Sequence, residues 1–356
     1  MPRPRKAPRL FVRRDEDPPV WVIRDGSRQV RTGCIESEAE EAEKRLAEYL
    51  ASKHEPTKSS DPKDVPVADV LSLYLTDKIP HLGKPGNEID FITQLSPFWG
   101  KLHLYDIDNR HTTDYAKARM KAGVKASTAR RELETLRAAA NYFVNDRKIP
   151  FRPVVTLPPK AEPRLRWLTR SEAARFIHAA RRRGNHHLAR LILIGVYTGT
   201  RTGAIIALKW VEATHSGYVD IDAGVLYRKG ASERTTAKRR PSVRIPSRLL
   251  PHLKRWKAMD KGVAHVINRD GQPVKSVRKA WANSRADASL DAEVIPHSLR
   301  HTAASWGIQN VRTTQELQTL ADFLGMSLEM LLKTYGHLNP DHQSAAADAI
   351  SRRPGA

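Results

Sequence analysis

Two polar stretches that contain proline divide the chain and limit what it can fold into. EPTKSSDPKD, residues 55–64, has two prolines, and IPFRPVVTLPPKAEP, residues 149–163, has five. Proline lacks a backbone N–H and fixes φ, so neither stretch can continue a helix or a sheet for long. We therefore predict three domains, at residues 1–54, 65–148 and 164–356, in a chain of 356 residues.

The first segment predicts three strands and a helix. LFVRR, VWVIR and RQVRT have strand-like composition, and the Asp25-Gly26 pair between the last two is typical of a hairpin. Ser37 and Glu40 fit a capping box at the start of the helix that follows. Basic residues on the strands suit a sheet laid against DNA, although a solvated basic face explains them equally well. They are Arg13, Arg14, Arg24, Arg28 and Arg31.

The second segment predicts a compact helical binding module. Helical periodicity covers residues 67–74, 89–98, 112–121 and 127–145. Basic residues cluster around the turn at Gly123, where they are candidates for contact with a phosphate backbone. The cluster comprises Lys117, Arg119, Lys121, Lys125, Arg130 and Arg131.

The third segment mixes helices with short strands. Thr169 and Glu172 cap a first helix, LARLILIGVY predicts a buried one, and Arg201 heads a third in TGTRTGAIIALKW. The strands YVDID, VLYRK and SVRIP follow, and the loop before SVRIP carries Lys238 with two further candidates for DNA contact, Arg239 and Arg240. The expected fold class is mainly α with small sheets, that is, α+β.

A strong positive charge limits the partners. The 61 Lys and Arg exceed the 39 Asp and Glu and give a net charge of +22, which is most simply explained by nucleic acid as the partner. No run of 18 apolar residues could cross a membrane, and MPRPRKAPRL lacks the apolar region of a signal peptide. With one cysteine, Cys34, no internal disulfide can form. We expect a cytoplasmic, nucleoid-associated protein without a membrane partner.

Five residues could together act on a phosphodiester: Arg201, Lys238, His297, Arg300 and Tyr335. A phenol oxygen can attack phosphorus and form a covalent phosphotyrosine, while two arginines hold the non-bridging oxygens. A histidine near the phenol can act as general base and a lysine near the leaving oxygen as general acid. We find no GxxxxGK[ST] loop and no Cys/His metal-ligand spacing, so no cofactor or metal is predicted.

Three motifs resemble those of the tyrosine recombinases, the phage-type integrases. They are TGTRTGAIIAL, HSLRH, and LGM with Met326 nine residues before Tyr335; in addition, Lys238 lies eight residues before Pro246, as in that family. The resemblance implies an arm-binding domain, a helical core-binding domain and a catalytic domain. It also implies phosphate binding by Arg201 and Arg300, with Lys238 as general acid, His297 assisting proton transfer and Tyr335 as nucleophile.

Two positions depart from the family pattern. Ala204 stands where many members have Glu, and Met326 stands where the family usually has a His or Trp that donates to the phosphate, which a thioether cannot do. Two explanations stay open: a neighbouring donor such as His337 takes over the contact, or Met326 only packs under Tyr335. From the sequence alone we expect His301 to be structural.

The family resemblance also implies partners. These are double-stranded DNA attachment sites, three further copies of the chain in a tetramer on DNA, and a directionality factor and a DNA-bending protein. The implied activity is site-specific strand cleavage and rejoining, without metal or ATP, which integrates or excises a mobile element. A catalytically silent DNA-binding protein of the same fold is the alternative, and a metal-dependent transposase would need a carboxylate cluster that the sequence does not provide.

Overall fold

The computed structural model describes residues 8–25, 28–53, 59–83, 85–160, 165–233 and 239–339, together with Ala347, Ile350 and Ser351. Its contacts divide the chain into two compact units, Met1–Glu162 and Pro163–Ala356. Helices dominate and the sheets are small and antiparallel, which confirms the predicted fold class. The predicted domain boundaries stay predictions.

The first unit begins with a three-stranded sheet and one helix. The strands β1 (Arg9–Arg13), β2 (Val20–Asp25) and β3 (Arg28–Ile35) pair in the order β1-β2-β3, with Asp25 opposite Arg28. The helix α1 (Ala39–Lys53) packs on the sheet and buries Ala42. The predicted Ser37–Glu40 capping box is wrong. The helix starts at Ala39, which is too late for Ser37 to cap it. The Glu38 carboxylate instead accepts the N–H of Ile35.

Helices around one apolar core make up the rest of this unit. A π-helical turn, Tyr74–Lys78, and a 3-10 turn, Ile79–His81, directly follow the helix that ends at Leu73. Another 3-10 turn covers Leu104–Asp106. Four helices form this part of the unit, and the longest, which begins at Ala126, packs against the other three. The four are α2 (Val67–Leu73), α3 (Pro85–Trp99), α4 (Asn109–Lys121) and α5 (Ala126–Arg147).

The proline-containing stretch after α5 has no helix or strand in its described residues, 149–160, as predicted, but it packs against the helical core. Ile149 is buried, and Phe151, Val155 and Leu157 lie against the same apolar cluster. The Arg130 guanidinium donates to the Pro158 carbonyl at 2.6 Å. Apolar side chains between the prolines therefore anchor a segment whose backbone cannot form regular structure.

The second unit is built around one buried helix, with further helices and two small sheets. The helix α7 (His186–Thr198) is buried along most of its length because it packs between α6 (Arg170–Arg182) and α11 (Ser298–Ile308). The capping box predicted at Thr169 and Glu172 is present at the start of α6. The other helices are α8 (Thr202–Ile206), α9 (Leu250–Met259), α10 (Arg278–Asp287), α12 (Thr314–Leu324) and α13 (Leu328–Tyr335), with a 3-10 turn at Gly336–Leu338. The strands are β4 (Tyr218–Asp220), β5 (Val225–Tyr227) and β6 (Val243–Arg244) in one sheet, and β7 (Asn268–Arg269) and β8 (Gln272–Pro273) in another.

The stretch LGMSLEMLLKTYGH does not form a single helix, although Leu324, Leu328, Leu331 and Leu332 recur at helical spacing. Gly325 adopts φ +66° and ends α12, and the Ser327 hydroxyl then caps α13 by accepting the N–H of Met330. Leu331 is buried whereas Leu332 is 42% exposed. The break places a turn, rather than a continuous helix, next to the end of α7.

Among the described residues, no helix is both long and apolar enough to span a membrane.

Candidate active site

Arg201 stands at the start of α8, directly after the turn that ends α7. Gly199 makes this turn with φ +64°. Arg201 is the residue immediately before the helix, and its own backbone is extended. Its guanidinium is half-buried and donates to the Arg239 carbonyl at 2.9 Å. Burial, and then the charge of Arg240, lowers the pKa of Arg201. The expectation that this arginine heads a helix is confirmed.

Arg300 lies in the first turn of α11 and is 6% exposed. It donates to the Gly199 carbonyl at 2.9 Å and to the Gly325 carbonyl at 3.5 Å, so it joins the turn after α7 to the turn after α12. Burial lowers its pKa to about 10, the positive charge of Arg201 adds to the effect, and Tyr335 opposes it. Arg300 therefore lies close enough to Arg201 for the charge of Arg201 to act on it.

Arg228, a third buried arginine, was not foreseen from the sequence. It follows β5 and is 4% exposed, and it donates to the Thr200 hydroxyl at 2.8 Å, to the Phe323 carbonyl at 2.7 Å and to the Thr198 carbonyl. Burial lowers its pKa to about 9, and the charges of Arg300 and Arg201 contribute. The missed signal is alternation: Arg228 lies two residues after the buried Leu226 and therefore faces inward with it.

Tyr335 is the last residue of α13 and is 5% exposed. It packs in a cluster with Leu324, Leu331 and Ala303, while its hydroxyl lies 2.6 Å from Nδ1 of His301 on α11. Burial raises the pKa of Tyr335 to about 12, against the opposing charge of Arg300. The ring of Tyr335 thus closes an apolar core, while its hydroxyl faces a polar group.

His301 is the residue whose surroundings differ most from expectation. Besides contacting the Tyr335 hydroxyl, it packs edge-on against His297, with ring centroids 4.8 Å apart. Burial lowers its pKa to about 4, and the charges of His297 and Arg300 add to this. Its ring is therefore neutral at neutral pH and can accept a proton. Its place directly after Arg300, one helical turn from His297, was the available signal.

His297 precedes the first turn of α11 and is exposed. Although its surface is exposed, the protein around its ring partly desolvates the imidazole and lowers its pKa, and the charges of Arg300 and Arg201 contribute. Within the described residues no hydrogen bond joins His297 to Tyr335; its ring contact is with His301. His297 therefore lies at the edge of the site, between the arginines and the second histidine.

The two departures from the family pattern occupy different surroundings. Met326 packs against the apolar cluster that contains Tyr335, and its backbone N–H bonds to the Ala321 carbonyl at 3.0 Å. His337 lies in the 3-10 turn after Tyr335 and is exposed, without a hydrogen bond among the residues described. Ala204 lies in α8, three residues after Arg201, and its N–H bonds to the Arg201 carbonyl. The packing of Met326 favours the explanation in which it supports Tyr335.

Lys238 lies outside the described residues, but the chain is described again from Arg239. The Arg239 carbonyl accepts from Arg201, and Arg240 forms an ion pair with Glu233. A Cβ on Gly325 would lie 2.8 Å from Pro241 Cδ and 2.9 Å from the Arg239 carbonyl oxygen. The residues that directly follow Lys238 in the sequence thus contact both Arg201 and the turn before α13.

The predicted DNA-contact residues of the first unit fall into two groups. The residues of the first group each pair with a carboxylate: Arg13 with Asp15, Arg14 with Glu36, Arg31 with Glu16, Arg119 with Glu132, and both Arg130 and Arg131 with Glu134. The others are exposed and have no ion pair within the described part of the chain: Arg24, Arg28, Lys117, Lys121 and Lys125. The second group has its charge available to a polyanion, whereas the first group must share it with a carboxylate.

This geometry suits an oxyanion next to a nucleophilic phenol. Arg201 and Arg300 supply forked donors, His301 contacts the phenol, and no carboxylate pairs with either arginine in the part of the chain that is described. Guanidinium forks match phosphate oxygens, and a buried cation without an acidic partner favours an anionic ligand. A neutral histidine at the phenol can accept its proton.

Part of the chain matches a known protein family. Residues 166–342 match the model of the phage integrase family. The integrase of Salmonella phage P22 is 25% identical over 207 residues, which cover 56% of this chain and 50% of the relative. The chain thus spans about half the length of that curated relative.

Solved structures share the fold. A lambda integrase dimer bound to a COC′ core site matches with a TM-score of 0.60 and 18% identity, covering 94% of this chain and 96% of the other. A lambda integrase tetramer bound to a Holliday junction gives 0.59 and 20%, with coverages of 98% and 97%. The Tn1549 transposon integrase in complex with transposon right end DNA gives 0.61 and 16%, with coverages of 80% and 99%.

Proposed function

Because the chain belongs, through residues 166–342, to the phage integrase family of tyrosine recombinases, we propose that it cleaves and rejoins DNA at specific sites through a 3′-phosphotyrosine at Tyr335. The observation that supports this best is the Tyr335 hydroxyl beside His301, on the same helical turn as the buried Arg300. Attack by the phenol oxygen would retain the energy of the phosphodiester bond in the protein–DNA link. Rejoining then needs no external energy source.

Each residue of the proposed site has one role. Arg201 and Arg300 bind the non-bridging oxygens of the scissile phosphate and stabilise the charge that develops in the transition state. Lys238 protonates the leaving 5′ oxygen, a role supported by the contact of its neighbour Arg239 with Arg201. His297, at the edge of the site, assists proton transfer.

The substrate and assembly follow from the relatives. The lambda and Tn1549 structures contain integrases on DNA, and one of them is a tetramer on a Holliday junction. We extend both properties to this chain: double-stranded attachment sites as substrate, and four protomers on two paired sites. Exchange between two duplexes requires four strand cleavages, one per protomer. The proposed outcome is integration or excision of a mobile element.

Replacement of the nucleophile tests the reaction. On an attachment-site duplex nicked near the cleavage position, wild type should form a covalent protein–DNA adduct, visible as a slower band in a denaturing gel. Tyr335→Phe should bind the same DNA with unchanged affinity and form no adduct, because only the phenol oxygen is lost. Tyr105→Phe, at a tyrosine that is 54% exposed in the first unit, serves as control and should form the adduct at the wild-type rate.

Two outcomes would contradict the proposal. Adduct formation by Tyr335→Phe would assign the nucleophile to another residue. DNA binding by wild type without any adduct would favour the silent DNA-binding protein. Addition of EDTA separates the third class, since a metal-dependent transposase would stop and a tyrosine recombinase would continue at the same rate.

A further inference from the structure

The hydroxyl of Tyr335 contacts a histidine to which neither the sequence nor the family resemblance gives a role. His301 Nδ1 lies 2.6 Å from the phenol oxygen, a short hydrogen bond, whereas no such bond reaches the phenol from His297 among the described residues. The two partners come from α11 and α13, 34 residues apart in the sequence. A candidate general base must lie within hydrogen-bond reach of the proton that it removes, and His301 meets this condition.

Resting on the proposed function, we infer that His301 is the general base that takes the phenolic proton of Tyr335. In cleavage, the proton moves from the Tyr335 oxygen to His301 Nδ1 as that oxygen bonds to phosphorus, the bond from phosphorus to the 5′ oxygen breaks, and the general acid protonates the leaving oxygen. In rejoining, the 5′ hydroxyl gives its proton back to the deprotonated general acid as its oxygen bonds to phosphorus. The bond from phosphorus to the Tyr335 oxygen breaks, and His301 returns its proton to that oxygen. Every proton and bond is thereby accounted for in both directions.

The surroundings of His301 agree with this role. A neutral imidazole with its proton on Nε2 accepts at Nδ1, and burial among cationic neighbours keeps the ring neutral. The same neighbours weaken the imidazole as a base in the free protein, and the negative charge of a bound phosphate would offset their effect. The neighbours with charge or titratable groups are His297 and Arg300 on the same helix and Tyr335 on α13. Since Arg300 directly precedes His301, the phosphate-binding guanidinium and the base are held by one helical turn.

Met326 does not supply an alternative base. Its side chain packs in the cluster under Tyr335 and cannot accept or donate a proton. The hydroxyl of Tyr335 therefore receives no help from the residue nine positions before it, and among the described side chains its one hydrogen bond is with His301.

Two substitutions separate proton transfer from simple positioning. His301→Asn keeps an oxygen acceptor near the position of Nδ1 but has no basic nitrogen, whereas His301→Ala removes both. On the nicked duplex, we expect both variants to form the adduct about a hundredfold more slowly than wild type, since general base catalysis typically contributes about 10²–10⁴. DNA affinity should stay the same. His301→Asn at the wild-type rate would overturn the inference.

A more acidic nucleophile supplies a readout that a structural role would not change. With a polyfluorinated tyrosine at position 335, the phenol needs less help to lose its proton, so the rate ratio between wild type and His301→Ala should shrink about tenfold or more. An unchanged ratio would overturn the inference. Imidazole added to His301→Ala should raise its rate, and added imidazole should leave Tyr335→Phe inactive.

A spectroscopic measurement distinguishes failure of this inference from failure of the proposed function. With 3-fluorotyrosine at position 335, the fluorine resonance of the free protein should move in His301→Ala more than in the matched control His297→Ala. An unmoved resonance in His301→Ala would overturn the contact itself. If the resonance moves in His301→Ala but wild type never forms the adduct, the contact is real and the proposed function is overturned, together with the catalytic part of this inference.

Discussion

At the scale of single residues, three arginines share one site without an acidic partner in the described part of the chain. Arg201, Arg228 and Arg300 donate instead to carbonyls and to the Thr200 hydroxyl, and burial lowers the pKa of all three. Buried cations without a counter-charge are unfavourable in the free protein, so a bound phosphate relieves part of that cost. Ala204 fits this pattern, because the family's glutamate at this position would place an anion near the arginines.

Arg228→Lys should destabilise the protein and slow adduct formation. The guanidinium joins Thr198, Thr200 and Phe323, and an ammonium cannot reach all three acceptors with the same geometry. Leaving buried acceptors unpaired costs about 1–3 kcal/mol, to be measured as a lower free energy of unfolding in urea.

Arg244→Lys is the matched control, since Arg244 is exposed and its guanidinium makes one hydrogen bond within the described residues, to the Ala223 carbonyl at 3.1 Å. It should change the free energy of unfolding by about 0.5 kcal/mol or less. Equal losses in the two variants would show that the buried fork at Arg228 has no special role.

At the scale of elements, the sequence predicts those whose signal is local. The periodic apolar residues of α5 and α7 and the capping box of α6 are where they were expected. The break within LGMSLEMLLKTYGH is hidden in the sequence because Leu324, Leu328 and Leu331 keep helical spacing across one glycine. Arg228 and His301 were missed because their partners are distant in the sequence: Phe323 for Arg228 and Tyr335 for His301.

Gly325→Ala should destabilise the second unit more than an ordinary glycine substitution. A residue with a Cβ is strained at φ +66°, and this Cβ would also meet the Arg239 carbonyl oxygen at 2.9 Å and Pro241 Cδ at 2.8 Å. The displaced backbone carries the acceptor for Arg201, so the rate of adduct formation should fall together with the melting temperature.

Gly224→Ala provides the control for the backbone strain alone. Gly224 has φ +65°, but no atom lies within 4 Å of an added Cβ. Gly224→Ala should lower the free energy of unfolding by about 1–2 kcal/mol without slowing adduct formation. If Gly325→Ala cost no more than Gly224→Ala, the close approach of Arg239 and Pro241 to Gly325 would not contribute to stability.

At the scale of the whole molecule, the net charge of +22 indicated nucleic acid as the partner, and family membership through residues 166–342 agrees with that indication. The sequence could not say which cations are free for DNA, because pairing depends on tertiary contacts. Arg130 illustrates this: its guanidinium is divided between Glu134 and the Pro158 carbonyl. The count of basic residues therefore overstates the charge available for binding.

Salt dependence of DNA binding should separate the free cations from the paired ones. Lys121 and Lys125 flank the turn at Gly123 and are exposed without an ion pair among the described residues, whereas Arg131 pairs with Glu134 at 3.1 Å. Removing a cation that binds a phosphate reduces the slope of log K against log salt by about 0.9, because one fewer counterion is released.

We therefore expect the slope for the double variant Lys121→Ala, Lys125→Ala to be smaller by about 1.8, and that for Arg131→Ala by clearly less than about 0.9. Fluorescence anisotropy of a labelled attachment-site duplex at several salt concentrations measures both. Because these lysines would bind phosphates, the decrease in affinity should be the same on an unrelated duplex. A slope unchanged in the double variant would remove the turn at Gly123 from the DNA interface, and an equal change in Arg131→Ala would show that an ion pair with Glu134 does not withhold a cation from DNA.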